Sequence, residues 1–293
     1  MRYRIKHTTH YKYSAQVSMC FNEARMSPLN GTHQTCARNR FVIHPAPESL
    51  HKRFDYFGNQ VTSFDILQPH RELSVTVHSE VQVLDYSQQA LFSADYPWEF
   101  IRDSLQTSTD PEQITVREYT LPSPLIPHSG EVRKYAQESF PAGRPIMEAM
   151  RDLVARIHKD FKYDPGFSTI STPLHTVLAH RRGVCQDFAH LGIACVRSMG
   201  LAAGYVSGYL ETLPPPGQEK LEGADASHAW LAVYLLDHGW MHFDPTNNMM
   251  ARDQHITLAF GRDFADVTPL KGVIYGGDDH KLSVSVDVRR IDE

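Results

Sequence analysis

The chain has little cysteine, no concentrated positive charge and no long apolar run, and each shortage removes a class of protein. Its four cysteines, Cys20, Cys36, Cys185 and Cys195, are scattered and contain no C-x-x-C pair, which argues against a disulfide framework. That usage fits a reducing, cytoplasmic setting in which a reactive thiol survives. Against 34 acidic side chains stand 29 basic ones. No window gathers Lys and Arg into a phosphate-binding surface, so nucleic acid is not an expected partner. Nor is a membrane. No segment approaches a bilayer span, and Met1-Arg2-Tyr3-Arg4-Ile5-Lys6 alternates basic and apolar residues where a secretion signal would be continuously apolar. What is present is 293 residues at 41% hydrophobic content, enough for one large or two ordinary domains with a real core.

Hydrophobic periodicity divides the chain in three. Residues 1–85 alternate as β-strands: Leu73, Val75, Val77, Val81 and Val83 would share one face, and the turn signals Asn30-Gly31 and Phe57-Gly58-Asn59 separate strands. They predict an N-terminal antiparallel β-sandwich-like domain. Residues 86–144 are weakly patterned and include the Pro-rich run 121–127, which cannot be helix interior. This predicts a connecting segment, with one short helix from Val132 to Ser139 capped by Ser129. Residues 145–293 form the third part. Pro145 opens an amphipathic helix through Met147, Met150, Leu153, Val154, Ile157 and Phe161. Thr172-Pro173 starts a second helix ending near His180, and a third runs from Val184 to Met199 with Gly200 as its C-terminal stop. Thereafter the period is two, giving strands over 203–210, 227–235 and 240–244 and one more through Leu282, Val284, Val286 and Val288. The expected fold class is α+β.

Cys185 stands at the predicted start of the third helix, in Arg181-Arg182-Gly183-Val184-Cys185-Gln186-Asp187-Phe188. A helix start there points free backbone N–H groups and the positive end of the macrodipole at the sulfur, favouring thiolate over thiol. Downstream lie Ser227-His228-Ala229-Trp230 and Trp240-Met241-His242-Phe243-Asp244-Pro245-Thr246-Asn247. Cys185, His228 and Asp244 would supply a nucleophile, a base and a group that orients the base. A turn at Asp237–Gly239 would, however, leave His228 four residues out of register with Asp244, roughly 13 Å along a strand. A bulge, or a turn centred near Leu236, is needed to close that gap; otherwise Asn247 or Asn248 would orient the ring. Asp187 fits a dipole-complementing acid in the first helical turn, and Tyr163 either packs or lends its hydroxyl to an oxyanion. Seventeen histidines invite a metal site, and His175, His180, Cys185 and His190 recur every five residues. Five is the wrong step for one helical face, and no H-E-x-x-H accompanies it, so neither metal nor cofactor is expected.

These residues resemble the transglutaminase-like superfamily, in its bacterial branch with an N-terminal β domain. The resemblance is carried by 161–166 (Phe-Lys-Tyr-Asp-Pro-Gly), by 182–190 around Cys185, by 204–209, by His228-Ala229-Trp230 and by Phe243-Asp244-Pro245-Thr246-Asn247. At the N-terminus it is carried by 3–7, Tyr11-Lys12-Tyr13, 55–59 and Pro69-His70. It implies a papain-like core with a catalytic helix packed on an antiparallel sheet, with Cys185, His228 and Asp244 as the triad. It implies a bulge that brings the last two together. It also implies acyl transfer through a Cys185 thioester: hydrolysis of a peptide, isopeptide or related amide in a peptide or protein substrate, or amine transfer to a protein glutamine. Superfamily members that have lost activity leave a third alternative, an idle binding module. The loop from Glu211 to Asp225 is expected to overlie the site.

Overall fold

The N-terminal half is organised around one 23-residue strand, β1 (Arg2–Ala24). Tyr3, Ile5, His7 and Thr9 turn inward while Arg2, Arg4 and Lys6 face solvent, the two-residue period of a half-buried strand. In this computed structural model, which describes residues 1–85, 96–212, 225 and 227–291, β1 is joined by β2 (Gln34–His44), β3 (Ser49–Phe54), β4 (Gln60–Ile66) and β5 (His70–Val83). The antiparallel order is β2-β5-β1-β4-β3. Leu73, Val75, Val77, Val81 and Val83 are all buried, as their alternation predicts.

The segment expected as a connection with one short helix contains α1 (Trp98–Thr107), α2 (Pro111–Val116) and, where that helix was expected, α3 (Gly130–Gln137). The first two are ten and six residues long, too short to establish a period across a reading window. Their local signals are nonetheless ordinary. Trp98, Ile101 and Leu105 bury one face of α1, and the Asp110 side chain caps α2 by accepting from the Glu112 and Gln113 N–H groups. Ser129 caps α3 through the Val132 N–H.

Next come α4 (Ile146–Asp160), β6 (Lys162–Tyr163), α5 (Leu174–His180), β7 (Arg182–Gly183) and α6 (Cys185–Ser198). Strands β8 (Ala203–Leu210), β9 (Ser227–Leu235), β10 (Gly239–Asp244), β11 (Met249–Met250) and β12 (His255–Gly261) follow. They form a second antiparallel sheet in the order β11-β10-β9-β8-β12. Helix α6 lies against β8 and β9 with α3, α4 and α5 around it. Every residue from Asp187 to Arg197 is buried, the mark of a central helix covered on all sides. The class is thus α+β: a curled N-terminal antiparallel sheet and a core of helices packed on a second sheet.

The chain then crosses back. After α7 (Phe264–Val267), strands β13 (Leu270–Gly276) and β14 (His280–Arg290) both pair with β1. The C-terminal strand counted with the core therefore belongs to the N-terminal sheet. Alternation fixes which side chains share a face, not which strand lies alongside. Among the described residues no helix is long and apolar enough to cross a membrane.

Two side-chain amides lock the halves together. Strand β12 is the edge of the second sheet, with backbone groups that would otherwise be unpaired. Gln34 accepts from the Thr257 N–H at 2.8 Å and donates to the Thr257 carbonyl at 2.8 Å. Asn59 does the same for Phe260, at 2.7 and 2.8 Å. Beneath them Tyr3, Ile5, Val81 and Val83 share an apolar cluster with Tyr209, Ile256 and Leu258. Because Asn59 is fully buried, Asn59→Ala strands two backbone groups of β12. The expected cost is about 1–3 kcal/mol, read from urea unfolding as a lower midpoint at unchanged slope.

Candidate active site

The turn before α6 is built to present Cys185. Helix α5 ends at Arg181 in the left-handed conformation (φ 54°), with its guanidinium 4.9 and 4.8 Å from the Tyr135 and Phe161 ring centroids. Short β6–β7 pairing then holds the chain through Lys162 N–H to the Arg181 carbonyl and Asp164 N–H to the Gly183 carbonyl. Cys185 is the first residue of α6, half-buried and free. Asp187 folds back to accept from the Val184 N–H at 2.8 Å and from the Ser168 hydroxyl. Burial pushes the Asp187 carboxyl up, against those two hydrogen bonds. A side chain at 183 would put its Cβ 2.7 Å from Asp187 Oδ2, so glycine is required there. At 192 a Cβ would lie 3.1 Å from a Leu231 methyl, so glycine lets α6 pack closely on β9.

His228 is the second residue of β9 and Asp244 closes β10. Leu235 pairs with Gly239 and Leu231 with Phe243, without the expected bulge. The turn is Leu236–His238, one residue earlier than the sequence suggested. It leaves His228 diagonal to Asp244 on one face, and diagonal cross-strand neighbours stand roughly 7–8 Å apart, within reach of a ring and a carboxylate. His228 Nε2–H donates to Asp244 Oδ2 at 2.7 Å. Burial alone would lower the His228 pKa, but its interactions with Asp244 and with the Cys185 thiol override it and raise it to about 10.

Asp244 is fully buried and saturated with donors. Oδ2 accepts from His228, from Asn247 Nδ2 at 2.7 Å and from His255 Nε2 at 3.2 Å; Oδ1 accepts from the Thr246 and Asn247 N–H groups at 2.9 and 3.2 Å. Burial pushes this carboxyl up, yet the hydrogen bonds from His228 and His255 hold it well below the carboxylate range. Asn247 is therefore a partner of Asp244 rather than its replacement, and Asn248 sits in the turn at φ 49°.

Tyr163 is half-exposed beside Cys185, its ring edge-on to Phe188 at 6.4 Å. His190 lies buried on α6, where burial lowers it to about 4 and its Nε2 accepts from the Phe264 N–H. Burial raises Cys195 to about 12. His228, Asp244 and His255 bring ligand atoms within 4.8 Å of one another, close enough to hold a metal ion, unlike the evenly spaced set weighed from sequence. His255 was not singled out from sequence, because a histidine at the head of an alternating strand carries no distinguishing spacing. Of the loop expected over the site, 213–224 lie outside the described residues. A groove of about 520 Å³ lies on the N-terminal sheet between Phe21, His51, Phe64 and Val273, apart from all these groups. The titratable cluster, not the volume, marks the site.

A model of the bacterial transglutaminase-like N-terminal region matches residues 3–82, and one of the transglutaminase-like superfamily core matches 133–245. An uncharacterised Mycobacterium tuberculosis protein is 41% identical over 98% of this chain and 92% of its own length. The chain belongs to the transglutaminase-like superfamily. An uncharacterised Mycobacterium leprae relative is 34% identical over 99% of both chains. A solved structure, a candidate cysteine protease from Cytophaga hutchinsonii, superposes with a TM-score of 0.76 over 100% of this chain and 91% of its own, at 20% identity, and shares the fold. The transglutaminase-like family is one of cysteine-based hydrolases and transferases.

Two outcomes follow from this geometry. Gly183→Ala should push Asp187 off the Val184 N–H and lower stability by about 1–3 kcal/mol in thermal unfolding. The His228–Asp244 pair should also set a pH window. His228 is raised in the folded state, so its contribution is complete below its ordinary 6.5 and is lost as pH rises through about 10. Asp244 is lowered, so its contribution is present above its ordinary 3.8 and is lost in acid. The stability gap between wild type and Asp244→Asn should be widest between those ordinary values and should narrow towards pH 10, measured by denaturant midpoints across pH.

Proposed function

We propose that this chain is a thiol hydrolase that cleaves a peptide, isopeptide or related amide bond through a thioester on Cys185. The observation that carries the reading is the His228–Asp244 hydrogen bond with Cys185, the first residue of α6, acting on the same imidazole. An amide carbonyl is a weak electrophile, so its cleavage needs a strong nucleophile, a proton for the departing amine and donors for the developing oxyanion.

Each need has a candidate in the chain. The Cys185 sulfur, its proton held by His228, adds to the carbonyl carbon. The first-turn N–H groups of α6, which have no intrahelical acceptor, face the negative oxygen. His228 then gives its proton to the leaving nitrogen as the C–N bond breaks, and the acyl group remains as a thioester. Water, deprotonated by His228, releases the acid and restores the thiol. Asp244 holds the ring and stabilises its charged form throughout. Asp187, engaged by Val184 and Ser168, shapes the turn.

Incubation with a peptide library, followed by mass spectrometry, tests the reading. Wild type should give cleaved products and an acyl adduct on Cys185, and Cys185→Ala should give neither. Turnover retained by Cys185→Ala would eliminate the assignment. Product label from an added primary amine in place of free acid would make the chain a transferase.

A further inference from the structure

Resting on that reading, we infer that His255 is a positioning residue for the reaction: it holds the Asp244 carboxylate at the angle His228 requires. The two histidines reach one carboxylate oxygen, His228 Nε2 at 2.7 Å and His255 Nε2 at 3.2 Å. His255 is itself locked. Its Nδ1 accepts from the Arg252 N–H at 3.2 Å, so Nε2 carries the hydrogen given to Asp244, and its ring stands edge-on to Trp230 at 5.1 Å. The side chain is buried, so water does not substitute for it at Oδ2.

The contact is an unusual one to build. His255 begins β12, at the opposite edge of the sheet from β11, and β10 lies next to β11. A flat sheet would separate β11 from β12 by about 19 Å at ~4.8 Å per strand. Only five residue steps join Met250 to His255, about 17 Å at full extension. The sheet therefore bends enough for the His255 side chain to reach Asp244 across three strand spacings. The far side of β12 is clamped by Gln34 and Asn59 of the N-terminal sheet. The rigid object behind Asp244 is thus partly the N-terminal half of the chain.

Two polar substitutions separate the bonds of His255. His255→Gln keeps a donor at the Nε2 position and loses the acceptor for Arg252. His255→Asn keeps an acceptor near the Nδ1 position and falls short of Asp244. Iodoacetamide labelling of Cys185 at pH 7, followed by mass spectrometry of full-length protein, reads the consequence. His255→Asn should slow labelling about ten-fold or more, and His255→Gln should stay within about three-fold of wild type. Equal slowing in both variants, including through loss of the fold, or no slowing in His255→Asn, overturns the inference. Wild-type Cys185 labelling no faster than Cys36 would instead count against the thiol-hydrolase reading itself.

Discussion

The structure depends on one buried anion. Asp244 has no exposed surface, and a carboxylate so placed is costly unless its oxygens are filled. Five donors fill them, and they come from three places: the turn after β10, the start of β9 and the start of β12. No single element can supply that set. The second sheet must hold β9, β10 and β12 in fixed relation, and the relation is what places an imidazole over the first turn of α6. Losing a donor leaves charge uncompensated in a dry site, so the network defends its own geometry.

That dependence extends beyond the core. An edge strand such as β12 is normally free to fray, and fraying would carry His255 away from the carboxylate. Here the edge is read by two amides acting as a substitute strand, while the cluster around Tyr3, Ile5 and Tyr209 presses the sheets together. The N-terminal half therefore bears on the candidate chemistry from a distance, through hydrogen bonds and packing on β12. Its own outward groove between Phe21 and Val273 is a separate feature.

Much of this was legible in the sequence, and the boundary of legibility is physical. Helices α4, α5 and α6 and strands β8, β9 and β10 follow from periodicity, which records how each segment meets a core. The local placement of Cys185 follows from Gly183 and the helix start. The short helices α1 and α2, strand β12 and the return of β14 do not, because brief elements have no period and strand partners leave no trace in alternation. The hairpin between β9 and β10 shows how fine the margin is: moving the turn by one residue replaced an out-of-reach offset with a diagonal contact, and the bulge became unnecessary. Gln34 and Asn59 act by side-chain bonds across long sequence distances, and His255 by a bond between strands that are not neighbours in the sheet, contacts that a single chain read linearly conceals.

The return of the last strand has a temporal meaning. β1 is flanked by β5 from the start of the chain and by β14 from its end, Tyr3 lying opposite Arg290. A growing polypeptide can zip the first five strands early, but one side of its longest strand stays unpaired until the intervening core has been made. The pairing of β1 with β14 is consequently a high-contact-order step that leaves an open β edge waiting during synthesis.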